Sequence, residues 1–280
     1  MTYEEQYLQL VKKVMEEGDL EYNQRTNCKT KRIIGTMISC DLRKEIPLLS
    51  IRKMYPKTGA AELAWMLMGT QEGGWLKKYS KIWEKFEEDG LLKSAYGYRW
   101  RRHFGRDQIL QCVDLLKKDP STRQAVVFAW DPGLDGLKNS GKAKNIPCHM
   151  GFSAYVVNGR LDLCVYQRSL DTIVGLPYDI LLYGLLNMAM ANSLEVEKGR
   201  VSIAFGDTHI YDCHFDIANF LIEKNLSLIV SQEINKDTYL AHNFNLTDIY
   251  RFPDEYVENV VKSLSFFKYS DYAPIPEVVL

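Results

Sequence analysis

The residues most able to do chemistry crowd into the stretch 147–179. Pro147-Cys148-His149 opens a hairpin, Gln167-Arg168-Ser169 closes it, and Gly175-Leu176-Pro177-Tyr178-Asp179 follows. Each polar group has two readings. Cys148 is either a small buried hydrophobe or, with positive charge lowering its pKa, a thiolate nucleophile. Arg168 is an ion-paired residue at a strand end or, beside Ser169 and Asp171, a planar donor fork for phosphate. Asp179 is a cap or dipole partner near a helix start, or a ligand-facing carboxylate. Arg25 and Arg123 are further anion-binding candidates. His209 and Tyr211 stand two apart on an extended segment, so they face the same way and read as a sugar-hydroxyl pair or as core polar groups. Glu62 is the one acid on an otherwise apolar helix.

The elements that must position these groups are legible in outline. Tyr7, Leu10, Val11, Val14 and Met15 recur at helical spacing, which predicts an amphipathic helix over 3–17 that Gly18 ends. A β-rich segment follows over 31–42, then a short apolar helix over 60–68 that carries Glu62. The run 125–130 predicts a buried strand. Strands over 152–157 and 161–167 flank Asn158-Gly159, whose tolerance of positive φ is a hairpin signal. Pro177 fits a first helical turn, and the residues after it predict a long buried helix. A further strand over 201–205 leads into Gly206-Asp207-Thr208-His209-Ile210-Tyr211. The pattern is α+β with a mostly antiparallel or mixed sheet, in a single domain over 1–280, because no Pro/Gly/Ser-rich linker divides the chain.

Composition narrows the partners. With 35 basic and 36 acidic residues, no strong field draws the chain to nucleic acid or an anionic membrane. The six cysteines (Cys28, Cys40, Cys112, Cys148, Cys164, Cys213) lack zinc-site or disulfide spacing, so reduced thiols and no metal are expected. The N-terminus lacks a signal-peptide pattern, and the longest apolar segment, over 180–191, falls short of the roughly 20 residues a bilayer span needs. A soluble cytoplasmic protein is the expectation.

Taken in order, the motifs resemble the thymidylate synthase superfamily. The likeness runs from Asn23-Gln24-Arg25-Thr26 to the last residues, through Glu62-Leu63-Ala64-Trp65, Ile82-Trp83, Ala95-Tyr96-Gly97-Tyr98-Arg99-Trp100, Asp119-Pro120-Ser121-Thr122-Arg123, Pro147-Cys148-His149, Tyr166-Gln167-Arg168-Ser169-Leu170-Asp171, Gly175-Leu176-Pro177 and Gly206-Asp207-Thr208-His209-Ile210-Tyr211. The resemblance implies a homodimer packed sheet on sheet that uses 5,10-methylenetetrahydrofolate as co-substrate to modify carbon 5 of a pyrimidine nucleotide. By position, Cys148 is the nucleophile, and Arg25, Arg168 and Ser169 hold the phosphate, with Arg123 reaching it from the other subunit. His209 and Tyr211 bind the sugar 3′-hydroxyl. Glu62, Tyr96 and His149 form the proton-moving network, and Gln167 and Asp171 belong to the substrate pocket. Trp83, Asp171, Gly175 and Tyr178 line the folate side. A thiolate adding to carbon 6 makes carbon 5 nucleophilic, which is why such a set is needed. Transfer then ends with hydride, giving a methyl group, or with water, giving a hydroxymethyl group.

One departure from the family pattern changes the expected base. Thymidylate synthases carry Asn where this chain has Asp179, and that amide accepts from uracil N3-H and donates to O4. A carboxyl matches the acceptor and 4-amino donor of cytosine instead, either protonated itself or facing cytosine protonated at N3. Asp here resembles the deoxycytidylate hydroxymethylases, so the expected activity is hydroxymethyl transfer to dCMP, with Asp179 in the catalytic and substrate sets. Alternatives are a CMP hydroxymethylase of an antimetabolite pathway, a dCMP methyltransferase, a thymidylate synthase, and a nucleotide- or RNA-binding regulator on the same fold. Gln124 stands where a second arginine is usual, Arg52 where a lysine is expected near the folate tail, and the tail Pro276-Glu277-Val278-Val279-Leu280 resembles the segment that closes over folate in methyl-forming members.

Overall fold

The computed structural model describes residues 1–136, 145–224, 229, 244–270 and 279. Helix α1 (Tyr3–Glu17) has the expected bounds. Thr2 caps it, with Glu5 completing a reciprocal capping box, and the apolar side from Tyr3 to Met15 is buried. A Cβ on Gly18 would stand 2.3 Å from the Val14 carbonyl oxygen, so only glycine lets the chain turn directly into β1 (Asp19–Asn23).

Six strands make one mixed sheet in the order β1-β2-β6-β5-β4-β3. The long strands β2 (Cys28–Asp41) and β6 (Glu197–Tyr211) pair antiparallel. β6 pairs parallel with β5 (Arg160–Asp171), and β5 pairs antiparallel with β4 (His149–Val157). Asn158 and Gly159 join the β4–β5 hairpin with φ of 50° and 73°, as their side chains predict. β3 (Val126–Phe128) is shorter than the 125–130 reading and lies at the sheet edge. Its expected burial holds for Val127 but not for Phe128, which is 49% exposed, because an edge strand has a neighbour on one side only.

The remaining helices, in chain order, are α2 (Pro56–Met68), α3 (Tyr96–Tyr98), α4 (Gln108–Lys118), α5 (Gly175–Leu194), α6 (Phe215–Lys224), α7 (Leu246–Arg251) and α8 (Pro253–Ser263). α5 is the parallel crossover between β5 and β6. It is apolar on all sides and packs on β5, β6 and α2, which explains why its sequence shows no amphipathic period. Asn187, near its middle, donates to the Leu161 carbonyl at 2.8 Å and so fixes the helix against the start of β5.

The opposite face of the sheet lacks such cover. Met37, Ala204, Tyr166, Gly151 and Phe128 form one cross-strand rank, and Met37 (63%), Tyr166 (40%) and Phe128 are exposed. Among the described residues no helix is long and apolar enough to cross a membrane, and no group of three or more His, Cys, Asp or Glu could hold a metal ion. The tail 276–280, apart from Val279, lies outside the described residues.

Candidate active site

The start of β4, the end of β5 and the first turn of α5 converge near the end of β6, which pairs with the start of β2. Strand pairing explains most of the convergence. Register sets His149 opposite Gln167, Ser169 opposite Asp207 and Asp171 opposite His209, so alternate residues of β5 and β6 share one face.

Cys148 sits on the turn into β4 and is tied down from three sides. Its backbone N–H donates to the Tyr96 hydroxyl at 3.0 Å, and its carbonyl accepts from the Arg168 backbone N–H at 2.9 Å. The Arg168 side chain then grips the same turn. Nε donates to the Pro147 carbonyl at 2.8 Å, and one terminal nitrogen donates to the Ile146 carbonyl at 3.0 Å and lies 3.8 Å from Cys148 Sγ. The guanidinium also lies 5.8 Å from the Trp130 ring centroid, a cation–π distance. Burial pushes the thiol pKa up, Arg168 and Arg25 pull it down, Asp179 and Asp171 push it up again, and the net shift is upward. The expected lowering by positive charge is therefore corrected for the ligand-free chain, since burial outweighs both arginines.

Behind the thiol runs a chain of side chains. His149 Nε2 lies 3.1 Å from Asp179 Oδ1, and Nδ1 lies 2.9 Å from the Tyr183 hydroxyl. Gln167 Nε2 donates to Asp179 Oδ2 at 3.1 Å, while Gln167 Oε1 is buried without a partner among the described residues. Asp179 thus does not cap α5. Both of its oxygens turn toward β4 and β5.

Glu62 on α2 accepts from the Trp83 indole N–H at 3.0 Å. Burial raises its carboxyl to about 7, with the Trp83 hydrogen bond opposing the rise and the Asp179 charge adding to it. Trp83 forms an aromatic wall with Trp65, Phe86 and Tyr96, and Tyr96 stacks on His149 with ring centroids 4.7 Å apart. Burial raises the Tyr96 phenol, so this hydroxyl stays protonated. A carboxyl poised near neutrality, a neutral phenol and an imidazole in one buried cluster can hold and pass protons.

On the other side, His209 Nδ1 meets Asp207 at 2.9 Å, Asp207 pairs with Arg32, and His209 and Tyr211 are edge to face with centroids 4.9 Å apart. Burial pushes Asp207 up, but His209 and Arg32 outweigh it and hold the acid below its usual range. Asp171 Oδ1 accepts from the N–H groups of Ile173 (2.9 Å) and Val174 (3.0 Å). Gly175 stands between two acids, since a Cβ there would lie 3.7 Å from Asp171 Cβ and 3.8 Å from Asp179 Oδ2. The Tyr178 hydroxyl accepts from the Tyr55 N–H at 3.3 Å.

Arg25 lies exposed on the β1–β2 turn, which Asn23 Oδ1 shapes by accepting from the Arg25 and Thr26 N–H groups. Its charge acts on Cys148 and Tyr211. Arg123 is also exposed, between α4 and β3, and is not among the charges that act on Cys148 within the chain. Arg52 does not reach outward. It is buried and donates to the Ile173 carbonyl at 2.9 Å.

Two participants escaped the sequence reading. Tyr183 has a usable signal, since it is four residues after Asp179 and so shares its helix face. Trp130 has none, because only the tertiary fold lays Arg168 on its ring.

The model of the family described as thymidylate synthase matches residues 5–258, which takes in every group above except the last helical residues and the tail. Its members transfer one carbon from methylenetetrahydrofolate to a pyrimidine nucleotide. The chain belongs to the thymidylate synthase family.

Proposed function

We propose that this chain is a pyrimidine nucleotide C5 hydroxymethyltransferase that acts on a cytidine monophosphate, with dCMP preferred. The observation that carries the reading is the Asp179 carboxyl, held on His149 and Gln167 and close enough to Cys148 to raise its pKa. A carboxyl here matches the 4-amino donor and N3 of cytosine, either protonated itself or facing cytosine protonated at N3, and mismatches the O4 and N3–H of uracil. One buried polar mismatch of this kind costs about 1–3 kcal/mol, or about one to two decades in specificity, which is enough to change the preferred base.

The roles follow from position. Cys148 adds to carbon 6 of the ring, helped when the thiolate faces Arg168. Arg168, Arg25 and Ser169 take the phosphate, and His209 and Tyr211 take the sugar 3′-hydroxyl. Glu62, Tyr96 and His149 take up the carbon 5 proton. Methylenetetrahydrofolate supplies the one-carbon unit at the oxidation level of formaldehyde. The site fits such a ring. Asp171 leaves Oδ2 without a hydrogen bond among the described residues, Gly175 adds no side chain between Asp171 and Asp179, and Trp83 and Tyr178 offer flat faces. With water as the final nucleophile, the product is a hydroxymethyl group.

The uncovered sheet face supports a homodimer packed sheet on sheet, with Arg123 reaching the partner's phosphate site. The balanced charge supports small-molecule substrates and a cytoplasmic setting, and the unbroken cluster of buried residues supports one domain.

The test is incubation with methylenetetrahydrofolate and dCMP, CMP or dUMP, followed by mass spectrometry. A mass gain of CH2O on dCMP, lost in Cys148→Ala, is the expected result. A gain of CH2 marks a methyltransferase, a preference for dUMP marks a thymidylate synthase, and binding without turnover on all three marks a regulator.

A further inference from the structure

We propose that Tyr183 is a positioning residue for base selection, fixing the His149 tautomer and thereby holding Asp179 as a hydrogen-bond acceptor. The inference rests on the reading of Asp179 as the group that faces the pyrimidine ring.

Tyr183 is 0% exposed, and its hydroxyl meets only His149 Nδ1 among the described residues, at 2.9 Å. Burial holds the phenol well above its usual pKa, with Asp179 and Tyr96 adding to the shift, so it carries its proton. A buried O–H needs an acceptor, and the only one in reach among the described residues is Nδ1. When Tyr183 donates to Nδ1, the neutral imidazole must carry its proton on Nε2. Nε2–H then points at Asp179 Oδ1, 3.1 Å away. The opposite tautomer makes two faults at once. It leaves the Tyr183 proton buried and unpaired, and it sets the bare Nε2 lone pair against a carboxylate oxygen.

Gln167 acts on the second oxygen, since its Nε2 donates to Oδ2 at 3.1 Å. Asp179 is therefore met by one N–H at each oxygen and has no partner on this side that could take a proton from it. A carboxylate so held offers the ring acceptors only. That suits a cytosine protonated at N3, whose N3–H and 4-amino group both donate, and rejects a keto oxygen. In Tyr183→Phe the buried donor is gone, the imidazole proton is free to move to Nδ1, and a bare Nε2 no longer holds Asp179 Oδ1 as an acceptor. Base discrimination should then weaken with the ring shape at position 183 unchanged.

The experiment joins kinetics to a spectroscopic signature. In the wild-type protein, 15N NMR of the His149 ring should show a protonated Nε2 and an unprotonated Nδ1, and Tyr183→Phe should lose that fixed pattern. The ratio of kcat/KM for dCMP over dUMP should fall at least about tenfold in Tyr183→Phe, as expected for one freed buried polar contact. A wild-type His149 protonated on Nδ1 alone overturns the inference without any variant. An unchanged ratio in Tyr183→Phe also overturns it, and if Asp179→Asn shifts the ratio in the same assay, the cytosine reading stands by itself. If Asp179→Asn leaves the ratio unchanged, the cytosine reading fails and the role of Tyr183 with it.

Discussion

Replacing Glu62 with Gln should make the protein more stable at pH 8 while removing activity. The acid is half-buried against Trp83, and desolvation raises its pKa from an ordinary 4.5 to about 7. A raised carboxyl pKa means that the folded state prefers the neutral form. The associated stability is fully present below the unfolded pKa and is lost as pH rises toward the folded one. At about 1.4 kcal/mol per pKa unit, the raised pKa lowers stability, relative to low pH, by about 1 kcal/mol at pH 5 and about 3 kcal/mol at pH 8. Glutamine keeps an oxygen for the Trp83 N–H and cannot ionise. The stability of Glu62→Gln relative to wild type should therefore grow by about 2–3 kcal/mol between pH 5 and pH 8. Urea unfolding at fixed protein concentration over that range reads the difference directly. A constant difference refutes the argument, because it means that Glu62 titrates alike in both states. The same variant should lose the limb near pH 7 from the kcat/KM profile of any residual turnover.

Asp179→Asn should move the dCMP/dUMP ratio of kcat/KM toward dUMP by about one to two decades, measured by steady-state kinetics with both nucleotides. Arg168→Lys cannot reproduce the grip on the Ile146 and Pro147 carbonyls, so kcat/KM should fall roughly 10- to 100-fold with a higher KM for nucleotide. Tyr166→Asp places a charge in the middle of the uncovered sheet face, and analytical ultracentrifugation should find a monomer where the wild type sediments as a dimer.

Local chemistry carried much of the fold. The period of Tyr7, Leu10, Val11 and Val14 and the stop at Gly18 gave α1 its bounds, and Asn158-Gly159 placed the hairpin because few dipeptides accept two positive φ angles. The β3 edge was misjudged for a physical reason. Val126, Val127 and Phe128 are apolar alike, and which of them is covered depends on sheet order. The site was legible as a set of residue types and not as a wiring diagram. Nothing local says that Arg52 turns inward to the Ile173 carbonyl, that Trp83 spends its N–H on Glu62, or that burial overrides the two arginines at Cys148. Those outcomes are set by elements far apart in sequence. Tyr183 was hidden differently, inside a helix so apolar that its hydroxyl reads as incidental.

The unpaired Gln167 Oε1 has a consequence for how such a site changes its preference. A primary amide has nearly the same shape end for end, so rotating it half a turn exchanges acceptor for donor without moving any backbone. Opposite an acid, the nitrogen end serves. Opposite an asparagine, the oxygen end receives the new N–H. The neighbour of position 179 is therefore reversible hardware, and on the proposed reading of Asp179 the two pyrimidine alphabets are separated there by a single side-chain atom.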